Sequence, residues 1–340
     1  MRILYIGQLW QGGTCLERMK TLQSFGHELI SFDMSPWTSA GNRIFSSLAH
    51  RTNWGPNVWD FNKTLLNYSR SLGSVDLIWI DKGRWVYPET LDLLKQRLDC
   101  PALHYTPDSQ LITNKSRHFD KCIPIYDWVV TTKPFERDMY CNLGCKRVLF
   151  ALQGYDPRFV AYESRLQEQD IWNSDVCFIG HYELHYAETL KAVAGDTKLL
   201  KIWGPGWLRY ANKSTWAMPY VCGNGVWGED YLRALSHAKI GLGFLTKGIP
   251  ETTTTRSFEI PALGTFLLAE RTDDHLALFE EGKEAEFFGS KEEMKDKIRF
   301  YLDNEVARKK IAAAGRERCL KSGYASSEQL AKILTEITVV

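Results

Sequence analysis

Short runs of β-branched and aromatic residues alternate along the chain with longer stretches of helical period. Strands that are buried on both faces show such continuous apolar runs, whereas helices repeat their apolar positions every three to four residues. The predicted strands are RILYIG, HELISF, VDLIWI, PALHY, DWVVTT and KRVLFAL in the first half, and DVCFIG, KLLKIWG, KIGLGF and TFLLA in the second. This alternation predicts an α/β fold in which helices cover both faces of parallel sheets.

The alternation restarts after a polar stretch that has no strand pattern, QGYDPRFVAYESRLQEQDIWNS. A chain of 340 residues is also longer than a single core usually supports. We therefore expect two Rossmann-like, doubly wound parallel-sheet domains, residues 1–155 and residues 170–323, that face an interdomain cleft. The end of the chain is predicted to be helical after a break at Gly323, and the helix in residues 325–340 could pack on either domain.

Composition narrows the class of protein further. Hydrophobic residues make up 44% and charged residues 24% of the chain, as in ordinary globular proteins, and a net charge of +1 disfavours a broad nucleic-acid or membrane surface. No apolar run approaches the ~20 residues of a membrane helix, and the N-terminus lacks a signal-peptide core. The eight cysteines contain no C-x-x-C pair, which favours reduced thiols. We expect a cytoplasmic protein with no membrane span.

The strand-to-helix turns are the places to look for a site, because ligands bind outside the carboxyl ends of strands in open α/β sheets. Gly12 and Gly13 follow the first predicted strand and would let a ligand approach the backbone next to a helix N-terminus. They form neither a G-x-G-x-x-G motif nor a Walker loop. A tight turn explains them equally well.

The predicted strand LHYTPD places two further candidates at such a turn. His104 could hydrogen-bond a substrate hydroxyl, and Asp108 could accept a proton from one. A packed histidine and a turn or capping aspartate are the structural alternatives.

In the second half, Gly180 begins the segment GHYELH, in which His181 and His185 are four residues apart. Two imidazoles at this spacing share a helix face, as in some zinc sites, but a third ligand is not evident. A loop that places His181 near a bound anion is more plausible than a metal site. The Gly-Pro-Gly turn beginning at Gly204 is compatible either with a close nucleotide or with a sharp turn.

The segment GIPETTTTRSFEIPALGT carries two glutamates, Glu251 and Glu259, on either side of four threonines. Threonine suits turns and N-caps better than helix interiors, so a helix is predicted from Thr254 or Thr255 to Gly264. A proline at position 261 predicts that this helix is short or kinked.

The charged residues of this segment suggest a nucleotide-sugar site. Lys247 and Arg256 would provide positive potential for a pyrophosphate, and the arginine can donate two parallel N–H bonds to phosphate oxygens. Glu259 could accept two hydrogen bonds from a ribose diol, and Glu251 could do the same for sugar hydroxyls. The structural alternative is a solvated acidic cap near a helix N-terminus.

The segment from Glu251 to Gly264 resembles the E-x7-E motif of two-Rossmann (type B) retaining glycosyltransferases. RSFEIPALGTFLLAE more closely resembles the spore-maturation-protein-like branch of that superfamily, which carries an R-x-F-E-x-x-A-x-G signature. The similarity is strong over residues 239–318 and looser in the first half of the chain.

The resemblance implies roles for individual residues. Glu259 would bind the nucleotide ribose, and Glu251 the donor sugar. Gly12 and Gly13 would lie by the pyrophosphate or the acceptor, and His104 would touch the sugar near its anomeric centre. The predicted donor-binding residues are Glu259, Arg256, Lys247, Gly12, Gly13, Gly180, His181 and Gly204, and the predicted catalytic residues are Glu251, His104 and Asp108.

The chain departs from the family pattern at two points. Many retaining relatives carry a basic residue soon after the glycine that matches Gly180, where this chain has HYELH, so the diphosphate contact is assigned to Arg256 or Lys247. The spore-type branch does not always keep the first glutamate, so the spacing of Glu251 could be coincidental.

The expected enzyme is a glycosyltransferase that moves a sugar from a nucleoside-diphosphate sugar to a hydroxyl acceptor, which could be a saccharide, lipid, protein, small molecule or modified nucleic acid. The sequence contains no Asp-x-Asp, so an aspartate-held divalent metal is not implied, and no cofactor is expected. Retention is favoured, and Asp108 is the candidate base if the enzyme inverts. The alternatives are a nucleotide-sugar 2-epimerase of the same fold and a catalytically silent sugar-nucleotide-binding protein.

Overall fold

A computed structural model describes residues 1–39, 43–162, 171–195 and 197–338 of the chain. The chain forms two compact units: the first comprises Met1–Leu152 and Leu330–Val340, and the second comprises Gln153–Gln329. Positions 163–170, which belong to the predicted connector and include the expected start of the second domain, lie outside the described residues.

The first unit alternates strands and helices from its start. Its strands are β1 (Arg2–Gly7), β2 (Glu28–Asp33), β3 (Leu77–Asp81), β4 (Ala102–Thr106), β5 (Trp128–Thr131) and β6 (Val148–Phe150). Its helices are α1 (Thr14–Ser24), α2 (Ser35–Ser39), α3 (Arg43–Thr52), α4 (Pro56–Tyr68), α5 (Pro88–Leu98), α6 (Arg117–Cys122) and α7 (Glu136–Asn142), with a 3-10 turn at Ser69–Ser71.

The second unit repeats this alternation. Its strands are β7 (Ser174–Ile179), β8 (Leu200–Trp203), β9 (Val221–Gly223), β10 (Ala238–Gly243), β11 (Phe266–Glu270) and β12 (Glu286–Phe288). Its helices are α8 (Arg158–Ala161), α9 (Leu184–Val193), α10 (Trp207–Ala211), α11 (Glu229–Ser236), α12 (Arg256–Ala262), α13 (Asp273–Leu278), α14 (Lys291–Asp303) and α15 (Glu305–Lys321), and the last helix of the chain is α16 (Ser326–Thr338). None of the helices in the described part of the chain has both the length and the apolar character needed to cross a membrane.

Each unit contains one six-stranded parallel sheet, which confirms the predicted α/β class. The strand order is β2-β1-β3-β4-β5-β6 in the first unit and β9-β8-β7-β10-β11-β12 in the second. Numbered within the second unit, this is the 3-2-1-4-5-6 order of dinucleotide-binding folds. The order reverses direction between β1 and β3, and between β7 and β10. Ligands of such sheets bind at the carboxyl edge of these switch points.

The inner strands of the first unit, β1, β3, β4 and β5, are buried on both faces. Leu4 and Ile6 of β1 belong to a core with α4 and α5, whereas Ile3 and Tyr5 point into a second core on the opposite face. Alternate side chains of a strand point in opposite directions, so an uninterrupted apolar run is needed when both faces are covered.

Helix α16 supplies part of that second core. Its apolar side chains have the i, i+3, i+4, i+7 spacing of an amphipathic helix. These buried residues are Leu330, Ile333, Leu334 and Ile337. The last helix of the chain therefore covers the sheet of the first unit.

Two strands have no counterpart in the predicted set. β9 and β12 contain three residues each, which is too short to show a periodic pattern. They complete the second sheet at its two edges.

Candidate functional site

Helix α12 lies directly after the switch-point strand β10 and carries the second glutamate of the E-x7-E segment. Its N-cap is Thr255 and its C-cap is Leu263, and the following Gly264 has a positive φ of 78°. The helix has seven residues, in agreement with the short helix that its internal proline predicts. Glu259 lies in its first turn.

The carboxylate of Glu259 is held by a tyrosine from the preceding helix. The hydroxyl of Tyr231 on α11 donates a 2.5 Å hydrogen bond to Oε2 of Glu259. Burial raises the pKa of the Glu259 carboxyl above its usual range, although the nearby Arg256 and the Tyr231 hydroxyl act in the opposite direction. A half-buried carboxylate oriented in this way is a ready acceptor for further hydroxyl donors.

Arg256 connects α12 to the end of β7. Its Nε donates a 2.9 Å hydrogen bond to the carbonyl of Ile179, and an Nη group donates to the Thr255 hydroxyl at 3.2 Å. Burial by itself would lower the pKa of the guanidinium, but neighbouring Tyr231 and Glu259 raise it. The Arg256 guanidinium is thus fixed against Ile179, the residue before Gly180, at the carboxyl edge of the sheet near the switch point.

The loop after β10 carries two further residues of the predicted site, Lys247 and Glu251. The backbone N–H of Thr246 donates to Oε2 of Glu251 at 3.4 Å. The ammonium of Lys247 pairs with Glu270 at the end of β11, and Glu270 also accepts a 2.8 Å bond from the Leu245 N–H. The expected pyrophosphate contact Lys247 is therefore already neutralised by a carboxylate.

Gly180 is followed by a loop that brings two imidazoles to one carboxylate. Nε2 of His181 lies 2.7 Å from one oxygen of Glu183, and Nδ1 of His185 lies 3.4 Å from the other. Burial would raise the pKa of Glu183, but hydrogen bonds from Thr246 and His181 lower it. Within the described residues, no group of three or more His, Cys, Asp or Glu side chains is arranged to hold a metal ion.

The Gly-Pro-Gly turn packs against the backbone of the Gly180 loop. Gly204 has φ of +148°, and a Cβ at this position would lie 1.8 Å from the carbonyl oxygen of Gly180. The same carbonyl accepts a 2.9 Å hydrogen bond from the indole N–H of Trp207. These contacts form a sharp turn that shapes the loop at the end of β7, and a nucleotide contact at Gly204 stays a prediction.

In the first unit, the glycine turn after β1 is covered by an exposed tryptophan. Gly12 has a positive φ of 84°, and the N–H of Gly13 donates to the Trp10 carbonyl at 3.0 Å. A Cβ on Gly13 would lie 2.9 Å from the indole ring of Trp10. The turn therefore requires small residues to bring this aromatic ring over the start of α1.

A buried ion pair connects this turn to the end of β3. Arg18 of α1 contacts Oδ2 of Asp81 at 2.5 Å, and the hydroxyl of Tyr5 donates to the same oxygen at 2.7 Å. The guanidinium of Arg18 also stacks 3.9 Å above the ring of Tyr105. A buried carboxylate needs such partners, because an uncompensated charge in the core is strongly destabilising.

Asp108, the candidate base, is paired with Lys82, the residue that follows β3. Its Oδ2 lies 2.7 Å from the ammonium of Lys82, which has a left-handed φ of +54°. Burial would lower the pKa of Lys82, but the Asp108 carboxylate raises it above its usual range. The carboxylate of Asp108 is thus held as one half of an ion pair.

Comparison with known proteins identifies the class of the second unit. Residues 186–335, from α9 into α16, match the family described as glycosyl transferase-like. The chain carries a glycosyl transferase-like domain. This match confirms the resemblance of this part of the chain to glycosyltransferases, the enzyme class that the sequence predicts. A search of curated proteins found no significant match.

Solved structures share the fold of the whole chain. Anabaena HepE in complex with UDP-glucose has 14% identity and a TM-score of 0.66, with 100% of both chains covered. Sucrose-phosphate synthase from Thermosynechococcus elongatus has 13% identity and a TM-score of 0.70, again with 100% of both chains covered. Trehalose 6-phosphate synthase from Burkholderia multivorans has 12% identity and a TM-score of 0.62, with 99% of this chain and 98% of the other covered. The likeness confirms the two-Rossmann (type B) fold.

The second unit thus brings most of its predicted residues to one edge of its sheet. Gly180, Arg256 and the loop with Glu251 and Lys247 all lie after β7 or β10, the two switch-point strands. Arg256 contacts the last residue of β7 directly.

His104 requires a correction. We expected its ring to face a ligand, but its side chain is fully buried in the core of the first unit, 4.5 Å from the ring of Phe119 and 5.4 Å from that of Tyr126. The side chain points sideways out of the middle of β4 instead of leaving its carboxyl end. Of the two sequence interpretations, the packed histidine is the one observed.

The burial of His104 makes the stability of the first unit dependent on pH. Burial lowers the pKa of the folded His104 imidazole from 6.5 to about 3. As the pH falls below 6.5, the imidazole of the unfolded chain binds a proton while the buried imidazole stays neutral, so the unfolded state is favoured. We expect the free energy of unfolding to fall by about 2 kcal/mol more between pH 7 and pH 5 in the wild type than in His104→Phe, which keeps an aromatic ring there. Urea unfolding at both pH values measures this, and equal losses in both proteins would contradict it.

The residues that sequence reasoning missed are those whose partners are distant in the chain. Tyr231 lies 28 residues from Glu259, and Arg18 lies 63 residues from Asp81. Asp81 did carry a signal, since it is a carboxylate at the end of a fully apolar strand followed directly by Lys82-Gly83. Tyr231 carried none, because its helix has an ordinary amphipathic pattern.

Proposed function

We propose that the glycosyl transferase-like domain binds a nucleoside-diphosphate sugar and that the protein transfers the sugar to a hydroxyl acceptor, with retention and without a metal. The second unit would hold the donor and the first unit the acceptor. The observation that carries the proposal is the placement of Glu259 and Arg256 on a short helix at the switch point between β7 and β10. This is where nucleotides bind in sheets of this topology.

The nucleoside would be held by Glu259. Its carboxylate accepts one hydrogen bond from Tyr231, and its remaining lone pairs suit the two hydroxyls of a ribose. The structures of Anabaena HepE with UDP and with UDP-glucose support a donor of this chemical class.

The diphosphate would lie between Arg256 and the Gly180 loop. A guanidinium carries five N–H donors, of which the contacts to Ile179 and Thr255 use two. Negative charge develops on the diphosphate as the sugar leaves, and a cation fixed in advance stabilises that charge most effectively. Lys247 would contribute if it exchanges Glu270 for a phosphate oxygen.

The chemical step would retain the anomeric configuration. The bond between the anomeric carbon and the phosphate oxygen breaks, the acceptor oxygen bonds to the same face of that carbon, and the acceptor proton passes to the leaving phosphate. Glu251 would hold sugar hydroxyls next to this centre. Asp108, the candidate base of an inverting reaction, is held in an ion pair by the Lys82 ammonium and would have to leave that pair to reach an acceptor hydroxyl, which supports retention.

Glu259→Ala tests the nucleotide site. We expect it to weaken nucleotide binding by about 1–3 kcal/mol, roughly 5- to 150-fold in Kd, since hydrogen bonds to a charged group are lost. Calorimetric titration with uridine, guanosine and thymidine diphosphates and their sugars measures the effect and also identifies the base. Glu251→Ala is expected to slow transfer with little change in nucleotide affinity.

The matched control is Glu317→Ala, which removes an exposed glutamate on α15 that pairs with Lys321. Its nucleotide affinity is expected to equal that of the wild type. Unchanged affinity in Glu259→Ala would remove this residue from the site. Product analysis with and without acceptor then separates the activities: conversion of the donor without acceptor would show an epimerase, and binding without turnover a silent module.

A further inference from the structure

A groove on the first unit has the size of a ligand site. It opens between the turn that joins α3 to α4 and the loop before α6, and its volume is about 710 Å³. Small-molecule sites typically range from ~300 to 1,000 Å³. Its lining includes Arg51, Asn53, Trp54, Lys115, Arg117 and Asp120.

Hydrogen bonds join the groove to the carboxyl edge of the sheet. The side-chain amide of Asn53, which has a left-handed φ of +54°, donates to the Lys115 carbonyl at 3.0 Å. The hydroxyl of Ser116 donates to the Arg84 carbonyl at 2.7 Å. Arg84 lies three residues after the end of β3, so the groove adjoins the β1–β3 switch point.

The groove is predominantly cationic. Arg51, Lys115 and Arg117 are exposed, whereas Asp120 is the carboxylate among the described lining residues and is half-buried. Arg84 extends the positive charge toward the end of β3, where Lys82 is paired with Asp108. Guanidinium and ammonium groups in this density suit carboxylate, phosphate or sulfate groups of a ligand.

Trp54 of the α3–α4 turn and Trp59 of α4 add an aromatic surface. Trp54 is 50% exposed and Trp59 is 44% exposed, and their rings pack edge to face with centroids 4.6 Å apart. Large aromatic side chains at the surface of a protein commonly mark a binding site. The C–H face of a sugar ring packs well on an indole, whereas a free inorganic anion gains nothing from it.

We propose that this groove binds the acceptor and that the acceptor is an anionic saccharide carrying carboxylate, phosphate or sulfate groups. The acceptor role rests on the proposed function, but the ligand class follows from the groove itself. The cationic side chains of the groove bind the anionic groups of the saccharide, and the indole of Trp54 packs on its sugar ring. A nucleic acid is disfavoured because the protein has a net charge of only +1, whereas nucleic-acid-binding domains usually carry a large excess of cations.

The test compares three trisaccharides of identical linkage: neutral, uronic-acid-containing and phosphorylated. Titration followed by tryptophan fluorescence is expected to show at least about tenfold tighter binding of the two charged forms to the wild type. The variant R51Q/K115Q/R117Q is expected to lose this preference. Trp54→Ala is expected to weaken all three trisaccharides while leaving the affinity for inorganic phosphate unchanged.

The control variant K63Q/R70Q/R137Q removes the same number of charges from exposed sites of the first unit outside the groove. This control variant should keep the preference for charged trisaccharides. If it lost the preference, the proposal would be overturned in favour of a general charge effect. Equal binding of neutral and charged forms, or tighter binding of a single-stranded oligonucleotide, would also overturn it. A separate titration with nucleoside diphosphates measures binding at the donor site. Loss of nucleotide binding and loss of trisaccharide binding can therefore be told apart.

Discussion

Arg256→Ala is expected to lower kcat by about 100- to 1,000-fold, the effect of removing one fixed donor from a site where negative charge develops. The guanidinium is held between the end of β7 and the first turn of α12. It therefore needs no rearrangement when the diphosphate leaves. Arg256→Lys keeps the charge but not the planar pair of N–H donors, so we expect an intermediate rate. Steady-state kinetics with the donor identified by calorimetry measures both variants.

The same arginine also has a structural role, since it donates to the Ile179 carbonyl. Thermal unfolding of each variant shows how much of the loss comes from the fold. Arg299→Ala is the matched control, because this exposed arginine lies on α14, away from the switch point. A wild-type kcat in Arg256→Ala would exclude the residue from diphosphate stabilisation.

Gly204→Ala is expected to lower the free energy of unfolding of the second unit by about 2–6 kcal/mol. About 1–3 kcal/mol would come from a non-glycine residue at φ +148°, and about 1–3 kcal/mol from the steric overlap. The overlap is with the Gly180 carbonyl oxygen, which is backbone and cannot rotate away. Chemical denaturation measures the loss, and nucleotide affinity should fall with it if the Gly180 loop shifts.

Two further glycines of the second unit separate these contributions. Gly228 has φ of +57°, and an added methyl carbon there would have no atom within 4 Å, so Gly228→Ala is expected to cost about 1–3 kcal/mol from backbone strain alone. Gly195 has open space and no positive φ, so Gly195→Ala is expected to change stability by less than about 0.5 kcal/mol. Similar losses in all three variants would show that the overlap at position 204 has no special cost.

The elements of the site were predictable because their signals are local. Helix α12 begins after the threonine run and ends before Gly264, since threonine caps, proline shortens and glycine terminates a helix within a few residues. The glycine turn after β1 was predictable for the same reason. The family signature in RSFEIPALG added the class of enzyme, which local patterns alone do not contain.

The contacts made by these elements were not predictable from such signals. His104 and Asp108 are four residues apart in one predicted turn, yet one is enclosed by Phe119 and Tyr126 and the other forms an ion pair with Lys82. Which face of β4 a side chain occupies depends on the helices packed against it. A strand buried on both faces has no polar side to show this in its sequence.

By itself the sequence determined the alternation of strands and helices, the two-sheet α/β class and the helix that carries Glu259, because each depends on periodicity or capping within about ten residues. The three-residue edge strands β9 and β12 were too short to be predicted in this way. Only the tertiary structure decided that α16 packs on the first sheet, that Tyr231 holds Glu259, and that Arg256 reaches the end of β7. An apolar helix face can be buried against any apolar partner, and a hydrogen-bonding side chain can serve any group within reach. Such pairings are set by the packing of segments far apart in the chain, where the sequence has no spacing rule.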